Sequence, residues 1–110
     1  MISFRQHGKL IILDVSGSIE GEALSCSIEE HLNNNIKTLV VNLSELQVVE
    51  SRTLGILVAS LKLCEDRGGE LVFFGVNPYL DQMLTLTKLK QLLKIYNTED
   101  DALTALEAAC

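Results

Sequence analysis

The chain has no tryptophan, one proline, and an aromatic content limited to three phenylalanines and two tyrosines. Its core must therefore be aliphatic, built from Leu, Ile and Val. No stretch approaches the ~20 consecutive apolar residues that a membrane span requires. The opening Met1-Ile2-Ser3-Phe4-Arg5-Gln6 lacks the charged start and apolar block of a signal peptide. Direct membrane insertion is thus not expected, and a cytoplasmic location is. Positive charge is sparse as well: nine Lys and Arg, with no basic run, stand against fifteen Asp and Glu. A net charge of −6 argues against nucleic acid as a partner, because a nucleic-acid binder needs a concentrated basic footprint to displace counterions. The acidic balance supports solubility and suits a partner with a basic surface.

Cysteine spacing excludes further classes. Cys26, Cys64 and Cys110 are odd in number and form no CxxC pair, so they read as reduced thiols. Cys26 and Cys64 are expected as small core side chains and Cys110 as an exposed terminal thiol. His7 and His31 lie far from any cysteine cluster, so neither a metal site nor a cofactor is expected. No nucleophile–base set is visible, and the chain is not expected to be an enzyme.

What is present is a single domain's worth of chain, 110 residues of which 47% are hydrophobic, with no linker or internal repeat. Ile2 to Arg5 and Lys9 to Val15 read as two strands around a hairpin signal at Gln6-His7-Gly8. Leu10 to Leu13 are consecutive apolar residues, which suggests a strand covered on both faces. Leu24, Ile28, His31 and Leu32 recur at helical spacing between Gly21 and Asn33. Lys37 to Leu43 reads as a second buried strand, followed by a loop from Ser44 to Val49. The longest helical pattern runs from Ser51 to Arg67 and stops at Gly68-Gly69. A third core strand spans Glu70 to Val76, Pro78 opens a short helix, and Leu92 to Tyr96 forms the last strand. Thr98 then caps a final helix whose first turn is acidic. The order ββαβαβαβα predicts an α/β fold with a mixed, mostly parallel sheet and packed helices.

Three segments together resemble the STAS domain, which anti-sigma factor antagonists share with the cytoplasmic tails of sulfate transporters. They are Gly17-Ser18-Ile19-Glu20, the run Val40 to Leu46 leading into Val49-Glu50-Ser51-Arg52-Thr53-Leu54-Gly55, and Gly68 to Val72 with Asn77-Pro78. The resemblance covers the whole chain as a single STAS-like domain. It implies a partner-switching role without catalysis, in which the domain binds a protein that is both anti-sigma factor and serine kinase. In the family, a motif of the form Asp-Ser-Ser/Thr-Gly-Leu-Gly carries the phosphorylated hydroxyl at its third position. Carried over, Glu50 stands at the Asp, Ser51 at the first hydroxyl, and Arg52 at the phosphorylated position. Thr53 replaces the glycine, while Leu54 and Gly55 match. Arginine cannot accept a phosphoryl group, so Ser51 and Thr53 become the phosphorylation candidates. Ser51 also suits a purely structural role as a helix N-cap.

The partner-binding residues expected on this reading are Glu20, Glu50, Ser51, Arg52, Thr53, Ile56 and Leu63. The resemblance places Glu20 in a turn beside Ser51, where it forms an acidic rim with Glu50. On the long helix, Leu54, Leu57, Val58, Leu61 and Cys64 line one face, and Arg52, Ile56, Ala59, Leu63 and Asp66 line the other. That second stripe fits either a docking surface or residues covered by a neighbouring element. The alternative function is a small-ligand sensor or a subunit of a lipid-transport ATPase complex, since STAS-like folds serve there too. Weak homodimerisation is a further expectation.

Overall fold

The computed structural model describes residues 2–19 and 22–108. Five strands form one sheet in the order β1-β2-β3-β4-β5, with β1 (Ile2–His7) antiparallel to β2 (Leu10–Gly17). β3 (Thr38–Leu46), β4 (Glu70–Phe74) and β5 (Ile95–Tyr96) continue from β2 in parallel. The intervening helices are α1 (Ala23–Asn33), α2 (Ser51–Asp66) and α3 (Pro78–Leu86), and α4 (Glu99–Ala108) follows β5. A single 3-10 turn at Leu89–Gln91 precedes β5. The expected α/β class and element order are those observed.

Helices lie on both faces of the sheet, as parallel crossovers demand. Alternation along β2 sorts its side chains between two cores. Ile11, Leu13 and Val15 join Leu24, Ile28, Leu57, Cys64, Leu80 and Leu84 beneath α1, α2 and α3. Leu10 and Ile12 turn the other way, with Val40, Val72 and Phe74, to meet Ala102, Leu103 and Leu106 of α4. This explains the unbroken apolar run in β2: neither face is left to water.

The sequence boundaries shift at several places, β4 among them, which ends at Phe74 instead of Val76. The β1–β2 turn is Gly8-Lys9, one residue later than the expected centre, because Gly8 with φ +64 takes the conformation that a two-residue hairpin requires. β5 keeps only Ile95 and Tyr96 of the strand expected from Leu92, since the 3-10 turn and the bend after it occupy the preceding residues. β3 runs on to Leu46 instead of ending at Leu43, through a bulge. Asp14 pairs with Asn42 but Ser16 pairs with Glu45, so β3 holds one residue more than β2 over that stretch. Asn42 secures the bulge: its side-chain oxygen accepts from the Ser44 amide at 3.0 Å and the Ser44 hydroxyl at 2.6 Å.

An ion cluster fastens the hairpin to α4. Arg5 donates to both carboxylate oxygens of Asp14, at 2.7 and 2.9 Å, and to Glu99 at 2.7 Å. Asn42 adds a donor to Asp14 at 2.8 Å. The Arg5 guanidinium, helped by Asn42, holds the Asp14 carboxyl below its ordinary pKa despite opposing burial. A depressed folded pKa contributes stability that is present above the unfolded value near 4 and is lost as pH falls through the folded value. Asp14→Asn is therefore expected to lower the urea midpoint at pH 7, with the gap to the unaltered chain closing toward pH 3 and below. A gap independent of pH would contradict this assignment.

Candidate functional site

In a parallel sheet with helical crossovers, the loops that leave the carboxyl ends of the strands collect at one end of the domain. Here those are the segments after β2, β3 and β4, and the N-termini of α1, α2 and α3 open toward the same end. The loops are tied together through backbone groups. The Gly17 carbonyl, at the end of β2, accepts from the Gln47 amide at 2.7 Å and the Val48 amide at 3.0 Å. Asn77 donates its side-chain amide to the Leu46 carbonyl at 3.3 Å and accepts from the Leu80 amide at 2.7 Å, capping α3 as it anchors β3. The capping role of Asn77, named above only as part of the Asn77-Pro78 pair, is legible from Asn preceding Pro at the first helical position.

The start of α2 projects from this end. Glu50, with extended backbone, is the N-cap residue, and Ser51 is the first residue of the helix. This corrects the expectation that Ser51 caps α2. The Glu50 amide donates to Thr53 Oγ1 at 3.0 Å, and the two residues form a capping box. Thr53 thus faces inward with 3% of its surface exposed. As a phosphorylation candidate it is disfavoured by its surroundings, since its hydroxyl is buried and already bound. Glu50, Ser51 and Arg52 remain exposed, and the Arg52 guanidinium pairs with the Glu50 carboxylate at 3.0 Å. Both partners are half or more exposed, so the pair adds little stability and can be exchanged for an external partner. Val48, 42% exposed, adds an apolar side chain shortly before them.

Of the other expected binding residues, Glu20 lies outside the described residues. Gly17, three positions earlier, does meet the loop before α2, through the bonds to Gln47 and Val48. Ile56 and Leu63 are half-buried and pack against the larger core, beside α1. These two members of the second stripe of α2 are thus partly covered, while Arg52, Ala59 and Asp66 of the same stripe are exposed, as is Lys62 beside it. The inward stripe is as expected at Leu54, Leu57, Leu61 and Cys64, whereas Val58 is only half-buried. Among the thiols, Cys64 is buried but Cys26 is exposed, which corrects its expected core role. Burial, with Glu65 and Glu70 nearby, pushes the Cys64 thiol up to about 11. Cys110 lies outside the described residues.

Chemically, the start of α2 offers a small apolar contact at Val48, an exposed hydroxyl at Ser51, and the Glu50–Arg52 acid–base pair. That combination suits recognition of a protein surface. Among the described residues, no helix is long and apolar enough to cross a membrane.

Comparison with known proteins gives concordant results. The family model described as the STAS domain matches residues 1–102. An anti-sigma F factor antagonist from Paenibacillus polymyxa is 28% identical over 110 residues, covering 96% of this chain and 94% of that protein. A putative anti-sigma factor antagonist from Thermotoga maritima is 31% identical over 75 residues, covering 68% of this chain and 66% of that protein. The crystal structure of an anti-sigma factor antagonist from Mycobacterium paratuberculosis superposes with a TM-score of 0.83 at 27% identity, covering 97% of this chain and 93% of that one.

Proposed function

The chain belongs to the STAS domain family, and from that premise we propose that it is a non-enzymatic docking module of a partner-switching pathway. Its partner on this reading is a protein that combines anti-sigma factor and serine kinase. The docking surface is the exposed end formed by Val48, Glu50, Ser51 and Arg52. The observation that carries the reading is the way these side chains are presented: the capping box and the Gly17 bonds hold the loop while leaving all four exposed.

On this reading Arg52 stands in the place of the family's phosphorylated hydroxyl, and its guanidinium pairs with Glu50. Control by phosphate is therefore absent at that position, and docking persists in the presence of ATP. A phosphate on this surface would bring about −1.5 to −2 of charge into the interface. The related antagonists named above supply the partner class by likeness alone.

The test is to incubate the protein with its cognate kinase and ATP, then measure intact mass and binding together. Unchanged mass with undiminished binding is the expected result. One phosphate mapped to Ser51, the exposed hydroxyl beside Arg52, would show a switch displaced by one residue and overturn the constitutive reading.

A further inference from the structure

Among the described residues, no element covers the edge of the sheet at β1. Edge strands of soluble proteins are usually blunted by proline, by brevity, by an inward-pointing charge or by a covering element. β1 is six residues long and contains no proline. Its one arginine, Arg5, turns to the α4 face and is already held by Asp14 and Glu99. On the opposite face the strand presents Ile2, Phe4 and Gln6, all uncharged. Phe4 is 59% exposed although its ring meets His31 of α1 edge-on at 4.8 Å. A groove of about 400 Å³ lies between β1 and α1, lined by Phe4, Gln6, Ile11, Ser27, Glu30 and His31 among others.

The hydrogen-bond phase of the strand says what fits this edge. The hairpin closes at His7 and Leu10 around a two-residue turn. In the alternating antiparallel pattern His7, Arg5 and Ser3 exchange bonds with β2, and Ile2, Phe4 and Gln6 turn their amides and carbonyls outward. These three residues are symmetric about Phe4. An antiparallel copy of the same strand, related by a twofold axis through Phe4, therefore sets Phe4 opposite Phe4 of the second copy. It also sets Ile2 opposite Gln6, and Gln6 opposite Ile2. Every outward amide then meets an outward carbonyl. Ser3 falls opposite Arg5 of the second copy, so no like charges are directly opposed, and each Arg5 retains its two carboxylates.

We propose that β1 is the seam of a twofold homodimer, in which two copies join their sheets edge to edge with the Phe4 rings paired beside α1. The proposal does not rest on the partner reading above. A patch this small forms a weak, concentration-dependent interface.

Sedimentation equilibrium of the full chain, from about ten micromolar to about one millimolar, reads the association in the range expected of a weak interface. The mass is expected to rise from 12.1 kDa toward twice that value. Phe4→Pro deletes an outward amide without touching a β1–β2 bond, so this variant is expected to stay monomeric throughout with an unchanged circular dichroism spectrum. A constant monomer mass for the unaltered chain, or a dimer that survives in Phe4→Pro, would overturn the proposal. Hydrogen exchange on the unaltered chain decides the matter even if that variant fails to fold. The Phe4 and Gln6 amides should slow as concentration rises, while Ser3 and Arg5 stay slow throughout. Fast exchange at Phe4 and Gln6 at every concentration would exclude the seam.

Discussion

Replacing Arg52 with serine is expected to turn the chain into a kinase substrate and, once phosphorylated, to weaken partner binding by roughly a hundredfold, about 2.7 kcal/mol. Position is the cause. Residue 52 is exposed at the second place of α2, where a hydroxyl would stand outside the capping box and open to a kinase. Thr53, one residue further, is buried, and its hydroxyl oxygen is taken up by the Glu50 amide. The helix start tolerates the phosphate itself, because its unpaired amides favour an anion. The penalty falls on the complex: the new charge lies beside Glu50 and must be desolvated against the partner. Unphosphorylated Arg52→Ser should lose no more than about tenfold in binding, because Val48, Glu50 and Ser51 of the docking surface remain. Phosphate mapping and a binding titration before and after kinase treatment check both halves.

Gly75→Ala is expected to destabilise the fold by roughly 2–4 kcal/mol, combining a left-handed backbone cost with overpacking. Gly75 has φ +75, and a Cβ added there would lie 2.8 Å from Ser44 Cβ and 3.0 Å from the Ser44 amide nitrogen. The crowding has a traceable cause. The bulge in β3 carries an additional residue past Asn42, and the Asn42 side chain pins Ser44 in place. The chain leaving β4 can pass only if it has no side chain. Neither partner in the clash is a flexible side-chain end, so relaxation must move backbone at the loop cluster that presents α2. Denaturant midpoints measure the loss, and binding should fall with it at temperatures where the variant is partly unfolded.

The elements with long apolar patterns are legible in the amino-acid sequence alone. Leu10 to Leu13 mark a strand covered on both sides, and Leu54, Leu57, Leu61 and Cys64 mark the buried side of α2. These signals survive because burial of aliphatic side chains dominates the energetics and has a fixed period. What stays hidden depends on neighbours. The bulge that extends β3 to Leu46 is secured by the bond between Asn42 and Ser44, a local interaction without periodic signature. Ile56 and Leu63 resemble an outer stripe because helical periodicity cannot see α1, which packs alongside. The N-cap falls on Glu50 instead of Ser51 for a related reason. A Thr at the third helical position can reach back to the cap amide and reverse the usual order of the box, whereas spacing alone favours the more common serine. Of the candidate surface, Glu50, Ser51 and Arg52 can be named from the motif and Val48 from the loop that leads into it, but that Val48 stands exposed is seen only in the fold.

The location of the docking surface is the central claim, and a binding titration with the anti-sigma factor kinase tests it most directly. Val48→Asp places a charge at the exposed apolar contact near Glu50, and Leu86→Asp does the same at the most exposed leucine of α3, away from the loop cluster. Val48→Asp is expected to bind at least tenfold more weakly, a loss of about 1.4 kcal/mol, with Leu86→Asp indistinguishable from the unaltered chain. Full affinity in Val48→Asp, or a loss confined to Leu86→Asp, would contradict the claim.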